Sequence, residues 1–214
     1  MNNKKAPFLV FPLIFFFFMT MIGLAIREHW IEMALTPIPK EYQSIEIGTR
    51  IHFDDPRIPS GQAMFIHFSN PSCGCAQFIK KHFIELVKDF SSQVQFVVVV
   101  EAENQQLITQ EIQDLTDKLQ LAATNVIFLQ DVNGNLAKKV GVYSTPQAVI
   151  LDSEQKLFFR GNYNASRYST NTKTQYAYLA LNGLLEKKSP EKLKAGYAIG
   201  CVLPTNLKEN ERNY

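Results

Sequence analysis

Two cysteines separated by a single glycine, Cys73 and Cys75, stand in the run Phe68-Ser-Asn-Pro-Ser-Cys-Gly-Cys-Ala-Gln-Phe78. The run ends an apolar segment (Ala63 to Phe68) and opens one with helical patterning. Two thiols at a strand-to-helix junction suit either redox chemistry or the gripping of a soft metal. A cysteine at a helix start meets the positive end of the helix dipole and unpaired N–H groups, both of which favour thiolate over thiol. Cys73 is expected in that position. A bond to Cys75 would require a sharply bent backbone, and such a strained disulfide is a more oxidising one. The competing reading is a pair that is merely packed. The third cysteine, Cys201, has three uses open to it: resolving a disulfide made by Cys73 or Cys75, pairing structurally, or staying free.

Other residue types able to do chemistry carry less signal. Thr145-Pro146 puts a proline at the head of an apolar strand, where it cannot donate to a ladder. A cis bond there would set the Thr145 carbonyl beside the helix start. His82 follows Cys75 by seven residues on the same helix-patterned segment. It reads either as a helix histidine satisfied locally or as a third ligand for copper, which thiolate and imidazole suit. His67 lies within the first strand and reads as packed, while His29 and His52 fall in a lead-in. Asp131 and Asn133 read as turn formers, and Lys138-Lys139 as a solvated face. Arg160, Arg167 and Tyr168 flank a hairpin as surface residues near the site.

The 214 residues leave room for one domain beyond an apolar N-terminal segment. With 22 basic and 20 acidic residues the formal charge is only +2, which argues against nucleic acid as a partner. Residues 7–26 (PFLVFPLIFFFFMTMIGLAI) carry no charge and match the roughly twenty residues a membrane-spanning helix needs. Lys4 and Lys5 precede the segment, so residues 1–6 are expected in the cytoplasm and the bulk of the chain on the far side. A cleaved signal peptide is the competing expectation. In an oxidising compartment thiols pair, and three is an odd number.

The elements that must position these residues follow from hydrophobic spacing. Residues 27–61 read as tether and lead-in, with Arg50 to Phe53 a short strand. Phe78, Ile79, Phe83, Leu86, Val87 and Phe90 form one face of a helix, with Lys80, Lys81, Glu85, Lys88 and Asp89 on the other. Val94 to Val100 is a strand buried on both faces. Ile108, Ile112, Leu115 and Leu119 mark a second helix, Val126 to Leu129 a strand, and Leu136 to Val140 a helical turn or two. Gln147 to Leu151 and Leu157 to Arg160 form a hairpin. A last helix spans about Thr174 to Lys187, its inner face carrying Tyr176, Leu179, Ala180, Gly183 and Leu184. The ordering predicts an α/β domain, a mixed sheet with helices on both faces.

The run ending in Cys-Gly-Cys75 resembles the active-site turn of the thioredoxin-like (redoxin) superfamily. Leu136-Ala-Lys-Lys-Val-Gly-Val-Tyr-Ser-Thr-Pro-Gln-Ala-Val-Ile-Leu-Asp152 resembles the stretch that leads into that family's cis-proline strand, and Lys156-Leu-Phe-Phe-Arg-Gly161 the strand after it. Tyr176 to Leu185 and Ala198 to Pro204 are similar to the end of a redoxin subgroup that closes in Gly-Cys. The resemblance implies a thioredoxin-like fold over residues 62–204, followed by a tail, 205–214. It implies Cys73 as nucleophile, Cys75 as resolving thiol and Thr145-Pro146 as the clamp on a substrate backbone. The departures are a spacing of one residue between the cysteines rather than two, and Ser72 where an aromatic usually stands. A second alignment matches Ser72 and Cys75 to the usual pair.

The expected function is thiol–disulfide exchange with extracytoplasmic protein thiols or disulfides by a membrane-anchored domain, through Cys73 and Cys75, with Cys201 as a possible further redox thiol. That chemistry calls for neither cofactor nor metal. The rivals are a copper-binding or copper-delivery module using Cys73, Cys75 and His82, and a non-catalytic scaffold. Oligomeric state, clients and the direction of electron flow are open.

Overall fold

The computed structural model describes residues 6–102, 104–188 and 197–203. The expected cytoplasmic start (residues 1–5 of it) and the tail 205–214 lie outside the described residues. The chain divides into two compact units, Met1–Ala34 and Leu35–Tyr214.

The first unit is helix α1 (Ala6–Met33), which contains Pro12. Its 22 residues Val10–Ile31 are long and apolar enough to cross a membrane, and Phe11 and Phe16 stand 77% and 69% exposed. Such a bare apolar surface is stable in lipid rather than water. The helix outlasts the uncharged stretch, running on through Arg27 and Glu28, which pair at 3.8 Å.

The second unit is built on a five-stranded sheet of β1 (Met64–Ser69), β2 (Gln95–Val100), β3 (Val126–Gln130), β5 (Gln147–Leu151) and β6 (Leu157–Asn162), in the order β3-β2-β1-β5-β6. β1, β2 and β3 are parallel, while β5 and β6 run against them. A short β4 (Ser144–Thr145) pairs antiparallel with β7 (Cys201–Val202) as a separate ribbon. Among the described residues, helices α2 (Gly74–Phe90), α3 (Gln105–Leu119), α4 (Asn135–Val140) and α5 (Tyr176–Leu185) pack with the sheet.

Alternation along the strands divides the core into two layers. Phe65, Phe96, Val98 and Ile150 pack with Phe83 of α2, Leu115 of α3 and Ala180 of α5. Met64, Ile66, Phe68, Val97 and Val149 face Ala137 and Val140 of α4 and the lead-in residue Ile51. Parallel strands linked by helices, each buried on both faces, account for the near-continuous Val run of β2. The expected mixed sheet with helices on both faces is therefore present.

Three local expectations are corrected. The Arg50–Phe53 segment makes no strand, only a bridge from Arg50 to Lys156, because it meets the β5–β6 turn for a few residues and then leaves. More broadly, residues from Leu35 onward belong to the compact unit, and Ile51 is buried in it. On α2, Lys80 is buried and Phe78 exposed, the reverse of the expected faces. Lys80 is held by carboxylates of α3, with Nζ 2.9 Å from Glu111 and 2.6 Å from Asp114. On α5 the buried face is Ala177, Ala180, Leu181 and Gly183, with Leu179 exposed. Small residues there let the helix lie close on the sheet.

Candidate active site

The site begins where β1 ends. The Asn70 side chain accepts from the Ser72 N–H at 2.8 Å, and its carbonyl accepts from the Cys73 N–H at 3.1 Å. This tight turn delivers Cys73 as the N-cap of α2, in extended conformation (φ −94°, ψ 114°). The Cys73 carbonyl accepts the bond from Gln77 N–H at 3.1 Å. Cys75 falls in the first turn, its side chain directed to the same buried spot.

Cys201 arrives from β7. Its register partner is Thr145, which precedes Pro146 across a cis peptide bond. Gly200 makes this approach possible, since a Cβ there would collide with the Thr145 carbonyl oxygen and lie 2.6 Å from Ser144 Oγ. The segment is tied down independently of its sulfur. Thr36 donates its N–H to Ala198 and its hydroxyl to the Gly200 carbonyl at 3.1 Å. Asn162 accepts from Ile199 N–H and donates to the Tyr197 carbonyl.

Three sulfurs therefore meet. Cys73 and Cys201 form a disulfide, with Cα atoms 6.0 Å apart. The Cys75 thiol is buried and free, 2.8 Å from Cys73 Sγ and 3.9 Å from Cys201 Sγ. The bond thus joins Cys73 to Cys201 and not to its sequence neighbour. β7 offers Cys73 a partner at a Cα spacing inside the usual range, while the Cys75 sulfur stays beside it unbonded. The Thr145 carbonyl faces the cluster, 3.5 Å from Cys73 Sγ and 3.6 Å from Cys75 Sγ. The Thr145 hydroxyl donates to the Phe68 carbonyl at 3.0 Å, fixing β4 to the end of β1.

Burial outweighs the helix start at Cys75. Desolvation pushes this thiol up from its ordinary value, while the Arg167 charge and the backbone N–H groups of Cys201, Cys75 and Ala76 pull the other way. The thiolate expected at the start of α2 was that of Cys73, whose sulfur is bonded to Cys201; the upward shift belongs to its neighbour Cys75.

Beneath the sulfurs, a polar network locks the supporting elements. Ser69 Oγ donates to Glu111 at 2.7 Å, and Gln77 and Lys80 donate to the other oxygen of the same carboxylate. It joins the end of β1 to α2 and α3. His67 is packed as expected, its Nδ1 2.7 Å from Tyr163 Oη and its ring stacked 4.5 Å from Phe83. Burial, with help from the Lys80 charge, pushes its pKa down to about 3. His82 has neither reading of the sequence. Among the described residues neither of its ring nitrogens has a hydrogen-bond partner, and its ring meets Tyr163 edge-on at 5.6 Å. Seven residues of helix rise separate it from Cys75 by about 10 Å, too far to share a metal.

Two loop residues matter more than their sequence context implied. Arg167 acts electrostatically on Cys75. Tyr168 stacks edge-on with Phe78 at 5.4 Å, and its hydroxyl borders Gly74, 3.6 Å from where a Cβ would stand. Arg160 is structural, donating to the Ile45 and Val140 carbonyls at 3.0 and 3.2 Å. Asp131 caps α4 by accepting from Leu136 and Ala137 N–H at 2.8 and 2.9 Å. A cavity of about 330 Å³ beside α4, lined by Phe53, Arg57, Asp131 and Lys139 among others, contains no cysteine.

Among solved structures, a hypothetical protein from Sinorhizobium meliloti 1021 aligns with a TM-score of 0.57 at 18% identity, over 75% of this chain and 95% of that one. An uncharacterized conserved protein from Geobacillus kaustophilus aligns with a TM-score of 0.55 at 22% identity, over 80% and 93%. A putative thioredoxin from Neisseria meningitidis matches at 14% identity with a TM-score of 0.45, over 59% and 77%. The first two likenesses speak to fold, not activity. No curated protein matches the chain in sequence. The helix opening on Cys73, the strand β5 entered through Pro146 and the antiparallel β6 give a thioredoxin-like fold. Residues 45–205 match the model of a family described as a domain of unknown function, DUF6436, and it is to this family that the chain belongs.

Proposed function

We propose that this protein is a membrane-anchored thiol–disulfide oxidoreductase acting on protein thiols or disulfides outside the cytoplasm. One observation carries the reading: three cysteine sulfurs gathered at the start of α2 against the Thr145 carbonyl, two of them bonded and the third within 2.8 Å of Cys73. A bond that serves only stability has no use for a third thiol in contact with it.

In the reductive direction the Cys73 thiolate attacks a client disulfide, forming a mixed disulfide and releasing one client thiolate. Cys75 then attacks Cys73 Sγ, releasing the second client thiolate and leaving a Cys73–Cys75 bond. Cys201 displaces Cys75 from Cys73 by a further exchange with no net electron transfer, giving the Cys73–Cys201 bond. Two electrons pass from protein to client, and the reverse sequence oxidises a client dithiol. Direction follows the relative reduction potentials. Thr145 and Pro146 are the proposed contacts for the client backbone, with the Thr145 carbonyl facing the sulfurs. In the same reading residues 7–26 anchor the chain in the inner membrane, residues 62–204 form the working domain in the periplasm or outside the cell, and 205–214 form a tail.

Insulin reduction with dithiothreitol as electron source tests the assignment. Wild type is expected to accelerate precipitation and Cys73→Ser to lose the effect. Cys75→Ser is expected to turn over slowly while still forming Cys73–Cys201. A wild-type rate no greater than dithiothreitol alone, or a Cys73→Ser rate equal to wild type, would remove the assignment.

A further inference from the structure

The three sulfurs lie within 4.8 Å of one another, on two segments that hold their places without the disulfide. α2 is fixed by its buried ion pair to α3. β7 is fixed by pairing with β4, by the Thr36 and Asn162 bonds, and by Leu203 N–H to the Tyr143 carbonyl at 3.0 Å. Reduction of the Cys73–Cys201 bond by a dithiol, itself oxidised to a disulfide, therefore leaves three thiols still facing one point. From this we propose that the fully reduced protein holds one Cu(I) ion in a trigonal site made by Cys73, Cys75 and Cys201.

The geometry suits that ion. A trigonal site with metal–sulfur bonds of about 2.3 Å needs sulfurs about 4 Å apart. Cys75 and Cys201 are already 3.9 Å apart, and only Cys73 has to withdraw once its bond is open. The donor set is wholly soft, which selects Cu(I). Zinc asks for a fourth ligand in a tetrahedron, and among the described residues no histidine or carboxylate joins the cluster. Three thiolates around one monovalent cation leave excess negative charge. The N–H groups at the start of α2 and the guanidinium of Arg167, which acts on Cys75, oppose it. His82, the ligand suggested by its type, has no part.

The site and the disulfide exclude each other, since the bonded form offers a single free sulfur. Oxidation of Cys73 and Cys201 by a disulfide, itself reduced to two thiols, would thus release the ion. Holding the ion requires no turnover of a client disulfide.

The test is anaerobic titration of the reduced, full-length, detergent-solubilised protein with Cu(I) in competition with bathocuproine disulfonate, followed by copper X-ray absorption. The expected result is one ion per chain, with three sulfur neighbours at about 2.3 Å. Each of Cys73→Ser, Cys75→Ser and Cys201→Ser is expected to weaken retention by at least about tenfold. His82→Ala should bind as wild type and the oxidised protein should retain none. Two sulfur neighbours, undiminished binding by Cys201→Ser, one-for-one displacement by Zn(II), or no retained copper would each overturn the proposal. The sulfur count on wild type decides even where a variant fails to fold. Insulin reduction on the same preparation reports separately on the exchange activity.

Discussion

Cys75 sits in the first turn of a helix, yet its thiol is harder to ionise than a free cysteine because burial removes more than the helix start and Arg167 restore. Alkylation of the oxidised protein by iodoacetamide at neutral pH is therefore expected to be slower than alkylation of the unfolded chain, and to rise with pH beyond the ordinary thiol range. Labelling at the unfolded rate would contradict this. His67 gives a second residue-scale prediction. Its folded pKa of about 3, set by burial and then by Lys80, lies below the ordinary 6.5 or so of the unfolded chain. Between those values the unfolded state binds a proton that the native state refuses. Stability is thus complete above pH 6.5 and falls as pH drops toward 3, by up to about 1.4 kcal/mol per unit. Urea melts at two pH values should show a shallower dependence for His67→Phe, and an equal slope in both proteins would count against it.

At the scale of elements, the order of strands and helices was legible in the sequence because apolar period reports directly on burial. The β2 run, the α3 stripe and the β5–β6 hairpin all lie where the pattern predicts. What period cannot report is a charge buried by a partner far away in the chain. Lys80 reads as solvent-facing, and only the approach of α3 brings Glu111 and Asp114 to it. Lys80→Ala is expected to cost about 3–5 kcal/mol by stranding the Glu111 carboxylate, measured by denaturant unfolding. A Lys80→Met, Glu111→Leu double variant should recover most of the loss. The Cys73–Cys201 pairing was hidden for a similar reason: it depends on β7 joining β4 over a separation of 128 residues. The Gly200-Cys201 dipeptide was the available signal, since the close backbone approach demands the glycine. Gly200→Ala is expected to cost about 1–3 kcal/mol as an overpacking change and to free Cys201 for alkylation in the oxidised protein.

For the whole molecule, the boundary between the two compact units has a measurable consequence. Residues 27–61 read as tether and lead-in, but Thr36 clamps the Ala198–Gly200 segment and Ile51 enters the core. A chain beginning at Leu35 should be soluble and unfold cooperatively, whereas one beginning at Gln62 should lose the Thr36 clamp and with it the seat of Cys201. Equal stability of the two by thermal denaturation would contradict this. The apolar N-terminal helix was legible from length and lack of charge alone, and the thioredoxin-like fold from the motifs around Cys73 and Pro146. The identity of the bonded cysteines required the assembled fold. Disulfide mapping after equilibration with oxidised and reduced dithiothreitol tests the proposed exchange site most directly. The expected result is a native chain that closes Cys73–Cys201 with Cys75 alkylated, and opens it fully and reversibly under reducing conditions without unfolding. A Cys73–Cys201 bond that persists in the folded protein at full reduction, or no bond involving Cys73 under oxidation, would contradict it.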